Sequence, residues 1–146
     1  MLTNKKIQTN IVYNHLDKTK HKIVVEQGGT RSGKTYNILI YIIFNYCARN
    51  TNKIVTICRK TFPSLRATVL RDFLEILKSH NVYNPEFHNK SSSEYYLYGN
   101  LVEFTSLDQS QKIRGRKRNL LFVNEANELL WEDWQQLIFR TQDRII

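Results

Sequence analysis

The chain has 146 residues, with 22 Lys and Arg against 13 Asp and Glu, for a formal net charge of +9. That length suits one domain and excludes two full-sized ones. With 41% hydrophobic and 12% aromatic residues, five Gly and two Pro, the composition builds a packed core and excludes a disordered or collagen-like chain.

Met1 to Asn10 carries no apolar leader segment, and the longest oily run, Ile38 to Phe44, is far short of the roughly 20 residues that span a bilayer. The expectation is a protein neither secreted nor membrane-embedded. Cys47 and Cys58 both fall in apolar runs and make no disulfide framework, as suits a reducing compartment. An isoelectric point near 9.7 suggests a polyanionic partner, and motifs must say which.

After a polar start, Lys22 to Gln27 is a short β-branched run that predicts a strand, followed at once by Gly28-Gly29-Thr30-Arg31-Ser32-Gly33-Lys34-Thr35. A helix is expected from about Gly33, with Ile38, Leu39, Ile42, Ile43 and Tyr46 on one face, ending at Arg49 to Asn52. Lys53 to Arg59 predicts a buried second strand. Pro63 is expected to interrupt the chain, and Leu65, Val69, Leu70, Phe73, Leu74 and Leu77 give helical periodicity as far as Ser79. Glu94 to Tyr98 and Leu101 to Leu107 predict a hairpin turning at Gly99-Asn100, inserted between the parallel units. Leu120 to Val123 predicts a strand ending in Asn124-Glu125-Ala126-Asn127, and Leu129, Leu130, Trp134, Leu137 and Ile138 predict a helix after it. Arg144-Ile145-Ile146 reads as the opening of another strand that the chain does not complete. Alternating strands and helices predict an α/β domain with a mostly parallel sheet flanked by helices. In it, residues 1–21 form an N-terminal extension and 22–146 the core.

Gly28-x-x-x-x-Gly33-Lys34-Thr35 matches the P-loop, or Walker A, pattern in full. Gly28, Gly29 and Gly33 let the loop turn its N–H groups inward, and the following helix presents its positive N-terminus to phosphate anions. Lys34 adds a point charge for the β- and γ-phosphates, and the Thr35 hydroxyl is a ligand for Mg²⁺. Thr30, Arg31 and Ser32 complete the loop. Four apolar residues followed by Asn124-Glu125 have the form of a Walker B motif at a strand end. Glu125 is the candidate to polarise the attacking water, the alternative being a helix-start Glu favoured by the dipole. Asn124 stands where an Asp is usual, so it adds no charge to a metal site and weaker Mg²⁺ retention is expected.

These residues together resemble the large terminase subunit of tailed bacteriophages, the motor ATPase that packages DNA into proheads. GGTRSGKT, CRKTFPSLRATV, KIRGRKRN and FVNEANEL carry the resemblance, from about Lys22 to Arg140. It implies a P-loop NTPase of the ASCE, RecA-like type, with ATP and Mg²⁺ as cofactors. It implies Lys34 and Thr35 on the phosphates and metal, Glu125 as the catalytic carboxylate, and Arg31 as a γ-phosphate contact or sensor. Double-stranded DNA, a portal protein, a small terminase subunit and a homo-oligomeric ring in the host cytoplasm are the implied partners and setting. The family continues into a coupling motif on the next core strand and an RNase H-like nuclease domain. Neither is read in these 146 residues. An end at Ile146 predicts a gap between the Walker A and Walker B strands, hence a fragment, a split gene product or a degraded copy, poorly stable and weakly active alone.

Lys112, Arg114, Arg116, Lys117 and Arg118 crowd five cations before the Walker B strand. They are candidates to grip DNA phosphates or to supply an arginine finger to a neighbouring subunit, with a solvated loop as the alternative. Arg59, Lys60 and Arg66 are further candidates for a phosphate-contact surface. Trp131 and Trp134 read as core or interface packing, and Tyr13 as a candidate to stack on adenine. His15, His21, His80 and His88 are scattered without Cys partners. Glu125-Ala126-Asn127 also echoes the carboxylate motif of superfamily 2 enzymes. Two further readings therefore stand beside the packaging motor: a helicase-like or recombination ATPase, and a non-catalytic nucleotide- or DNA-binding remnant.

Overall fold

The computed structural model describes residues 6–109 and 116–146. Asn10 opens α1 (Ile11–Lys18), its Oδ1 accepting from the Val12 N–H at 2.9 Å, as an N-cap does. Val12 and Leu16 are buried in the same core as the central sheet, so the segment expected as an extension is part of the domain's packing. The run after the glycine loop forms α2 (Lys34–Tyr41), which continues as a π-helical stretch over Ile42–Cys47. Asn45, in that stretch, donates to the Asp17 carboxylate at 2.6 Å and to the Tyr13 hydroxyl at 3.3 Å. Tyr13 also stands edge-on to Tyr41, with centroids 6.2 Å apart. It is therefore packed on α2.

β1 (Ile54–Arg59) is followed by α3 (Phe62–Leu65), a π-helical stretch over Arg66–Leu70 and α4 (Arg71–Ser79). Pro63 lies in the first turn of α3, where its missing N–H has no intrahelical partner to lose, so it opens this helix. β2 (His88–Asn89), β3 (Glu94–Leu97) and β4 (Asn100–Ser106) come next, then β5 (Arg118–Val123), α5 (Trp131–Phe139) and β6 (Thr141–Ile145). A 3₁₀ turn, Ala126–Glu128, stands between β5 and α5.

The sheet order is β2-β3-β4-β1-β5-β6. β4, β1, β5 and β6 are parallel, and β3 and β2 add an antiparallel flank. The hairpin expected from the sequence is present, but it is not an insertion, because its second strand pairs in parallel with β1 and belongs to the central sheet. Its turn is Tyr98-Gly99, both at positive φ, the geometry that matches strand twist in a two-residue loop. Asn100 is thereby the first residue of β4 and is fully buried. Its Nδ2 donates to the carbonyls of Cys47 (3.0 Å) and Asn50 (2.8 Å), while its Oδ1 accepts from the Lys53 N–H at 3.1 Å. It ties the end of the first crossover helix to the start of β1.

Side chains alternate across the sheet. Val55, Ile57, Val102, Phe104, Leu120 and Phe122 share one core with α1, α2 and α4. Cys58, Leu121, Val123 and Ile145 pack with Leu137 of α5 on the other face. Each fully buried Leu or Ile contributes about 1.5–3 kcal/mol relative to exposure.

The gap expected between the Walker A and Walker B strands is not there. β6 pairs with β5 on one side, and on the other Ile145 bridges Ile23 in parallel. The Val24 N–H donates to Ile145 O at 2.9 Å, and the Ile145 N–H donates to Lys22 O at 2.7 Å. The Lys22 to Gln27 run is thus joined to the sheet edge through this bridge and does not extend into a full strand. Arg144 of β6 donates to Leu16 O and Tyr41 Oη, both at 2.7 Å, and to Thr19 O at 2.6 Å. It fastens the C-terminal end of α1 against the sheet.

Burial makes two of these features testable. Asn100→Ala leaves the Lys53 N–H and several carbonyls without their partner, and a urea melt should show a loss of about 2–3 kcal/mol. Burial pushes both the Cys47 and the Cys58 thiol up to about 12, so neither forms thiolate near neutrality. Iodoacetamide at mildly alkaline pH should leave both unmodified in the folded protein and alkylate both in denaturant.

Candidate nucleotide-binding site

The parallel strands end on the side where the glycine loop lies, the usual place for ligands in open α/β sheets. Gly28 to Ser32 is exposed, whereas Lys34 and Thr35 are half-buried. The loop turns at Thr30-Arg31 with Arg31 at φ 66°, and Gly33 at φ 74° is the N-cap of α2. Glycine is favoured at position 33 by that positive φ. The left-handed φ alone makes that case, since a Cβ there would lie 3.4 Å from Asn10 Nδ2 and 3.6 Å from Asn37 Nδ2, both ordinary van der Waals contacts. Arg31 is exposed, and no hydrogen bond ties its side chain to another described residue.

Lys34 reaches back along its own loop. Its Nζ donates to Gly28 O at 2.6 Å, Gly29 O at 3.0 Å and Ser32 Oγ at 3.0 Å. The ammonium is thereby fixed at the mouth of the cradle that the backbone forms. Thr35, the next residue, meets β5: Asn124 Nδ2 donates to Thr35 Oγ1 at 3.2 Å. Asn124 is 6% exposed, and its own N–H donates to Cys58 O at 2.9 Å, so its backbone extends the sheet ladder while its amide turns to the loop. Glu125 follows in the left-handed region (φ 56°, ψ 57°) and is exposed. For a residue with a Cβ this costs about 1–3 kcal/mol, a strain that clusters at functional sites.

A phosphate and its metal fit these residues. Gly29 has open space where a Cβ would stand, so an anion can approach the backbone there. A hydroxyl, an amide and a nearby carboxylate, Thr35, Asn124 and Glu125, are oxygen donors of the kind Mg²⁺ takes.

Other candidates are engaged elsewhere or exposed. Arg59 is held between Glu128 (Nη2 to Oε1, 3.1 Å; Nε to Oε2, 3.4 Å) and Thr68 Oγ1 (3.0 Å). It pins the turn after Glu125, while Lys60 and Arg66 remain exposed. In the basic segment, Lys112 and Arg114 lie outside the described residues. Arg116 donates to Glu103 Oε2 at 2.7 Å and pairs with Glu94 at 3.8 Å, which raises its guanidinium above its ordinary range. Lys117 is exposed. Arg118 is only 1% exposed at the start of β5, with Nη1 donating to Leu137 O at 3.4 Å, and burial lowers its guanidinium from its ordinary value. It faces the interior and is neither a DNA contact nor a finger for another subunit. Trp134 packs under α5 as expected, but Trp131 is 70% exposed. A cleft of about 460 Å³ lies among Ser92, Glu94, Glu103, Thr105 and Arg116, and no residue of the glycine loop lines it.

Asn10, Asn37 and Glu128 are not among the residues that the sequence motifs single out, yet all three hold parts of the site. The readable signals are an Asn just before the apolar periodicity of α1 and a lone Asn at the head of the apolar run of α2.

The family described as phage terminase large subunit matches residues 20–144. No curated protein matches the chain. Among solved structures, the chain is similar to the large terminase of a thermophilic bacteriophage in its second crystal form. The TM-score is 0.72 at 15% identity, covering 92% of this chain and 36% of that one. The ADP complex of the same terminase, in a third crystal form, gives 0.67 at 18% identity, covering 90% of this chain and 35% of that one. The chain thus spans about a third of the length of the solved structures it matches, and its six-stranded, largely parallel sheet shares the fold of their matched portion. On the match over 20–144, this chain belongs to the phage terminase large subunit family.

Proposed function

We propose that the chain binds and hydrolyses ATP as part of a motor that moves double-stranded viral DNA into proheads. The observation that carries this reading is the contact between Asn124 and Thr35, residues 89 apart in sequence. It joins the end of β5 to the phosphate loop, the two parts that phosphoryl transfer to water requires to be adjacent.

In this reading the loop N–H groups from Gly28 to Thr35 and the N-terminus of α2 hold the phosphates, and Lys34 neutralises the β- and γ-oxygens. Arg31 contacts the γ-phosphate or registers its loss. Glu125 hydrogen-bonds the attacking water and orients it in line with the γ-phosphorus. Thr35, Asn124 and Glu125 hold Mg²⁺, which when bound withdraws charge from the phosphate oxygens. The Asn124 amide donates to the Thr35 hydroxyl and adds no charge, whereas an Asp would accept the hydroxyl proton and add one. That neutral amide also favours a second reading, a nucleotide-binding unit with little turnover. DNA, the portal protein, the small terminase subunit and a ring of identical subunits belong to the whole-length proposal, with Lys112, Arg114 and Lys117 as the cations for DNA or a neighbouring site and Arg116 already paired with Glu103.

The test is ATP turnover with and without duplex DNA. Lys34→Ala should abolish nucleotide binding. Glu125→Gln should leave binding intact and lower turnover by about 10²-fold or more. Asn124→Asp should lower the Mg²⁺ concentration needed for half-maximal binding. Turnover unchanged in both the Lys34 and the Glu125 variants contradicts the proposal; tight binding without turnover in the parent chain and in Asn124→Asp favours the second reading.

A further inference from the structure

We propose that α1 is a strut for the phosphate loop and that Asn37 is the positioning residue through which it acts, an inference that rests on the nucleotide reading above. Asn37 is 6% exposed, one turn into α2. Its Nδ2 donates to Gly33 O at 3.0 Å, and its Oδ1 accepts from the Asn10 N–H at 2.9 Å. Asn10 in turn places its Nδ2 3.5 Å from Ser32 O while its Oδ1 caps α1. The two asparagines therefore hold two successive loop carbonyls, those of Ser32 and Gly33, on the outer side of the loop.

The consequence follows from peptide geometry. In a trans peptide the C=O and the next N–H point in opposite directions within one plane. Holding Ser32 O and Gly33 O outward turns the Gly33 and Lys34 N–H groups inward, where an anion in the loop would sit. The loop needs such outside support because Arg31, which carries a Cβ, stands in the left-handed region at φ 66°.

α1 can serve as the strut because it is anchored independently of the loop. His15 Nδ1 lies 2.5 Å from Glu26 Oε1, on the segment that leads into the loop. Asp17 accepts from Asn45 at 2.6 Å, and Arg144 holds Leu16 O and Thr19 O. The segment before the loop, the helix after it and the strand β6 beside it are all tied to one short helix.

The test titrates a fluorescent ATP analogue with Mg²⁺, and separately inorganic tripolyphosphate as competitor, against the 146-residue chain well below its melting temperature. Asn37→Asp keeps the acceptor for Asn10 and removes the donor to Gly33 O. Asn10→Ser keeps a capping oxygen for α1 and removes the reach to Ser32 O. Each should weaken both probes by about tenfold, the size of one lost hydrogen bond in a binding constant. A role confined to stability would lower the melting temperature and leave the affinity of the folded protein unchanged. Variants that fold and bind both probes like the parent, while Lys34→Ala fails to bind, overturn this proposal and leave the nucleotide reading standing. If the parent itself binds neither probe, the nucleotide reading falls and this one with it. Should Asn37→Asp not fold, Asn10→Ser decides the matter alone.

Discussion

The site depends on where β6 lies. The glycine loop follows the Lys22–Val24 segment and Asn124 ends β5, and β6, wedged between the two, joins that segment to the sheet. Two backbone hydrogen bonds at Ile145 fasten the Lys22–Val24 segment, and two at Ile146 fasten the other side to Leu121 and Val123. Without that wedge the segment entering the loop would have no backbone pairing to the sheet, and Thr35 would keep its place by Asn124 and the packing of α2 alone. The expectation of a weak, gapped sheet rests on the absence of a strand that the chain in fact supplies. Its sequence, TQDRI, hides that role behind four polar residues, each of which is used, Thr141 by donating to Leu137 O at 2.9 Å. Asp143 accepts from Tyr46 and Lys53, Arg144 fastens α1, and Gln142 meets Asn119.

Net charge is a poorer guide to partners here than its size suggests. Arg59, Arg116, Arg118 and Arg144 all count toward +9, yet each is committed to an internal carboxylate or carbonyl. A guanidinium carries several donors in a fixed fork and suits such bridging better than a lysine. The arginines therefore organise the turn after β5, the hairpin flank and α1, and leave Lys60, Arg66 and Lys117 as exposed cations near the strand ends.

What can be read in advance follows from local rules. The loop motif, the amphipathic helices and the β5 strand each carry their signal within a few residues, and the family resemblance joins them in order. The hairpin turn lies one residue earlier than its composition predicts. Gly99-Asn100 is the stronger pair for tight turns, while burial of Asn100 requires Tyr98 to take the left-handed position instead. Arg118 differs from its expected role because nothing in a run of five cations says which one begins the strand. The links that hold the site, Asn10 to Asn37, Arg59 to Glu128 and Arg144 to α1, join residues from 27 to 128 positions apart, and no local pattern encodes them.

The central claim is that β6 joins the phosphate-loop segment to the sheet, and amide hydrogen exchange at single residues tests it most directly. The account predicts that the Val24 and Ile145 amides exchange as slowly as those of Leu121 and Val123, in one cooperative class. Exchange of Val24 and Ile145 at the rate of free backbone, with β5 still protected, would contradict it.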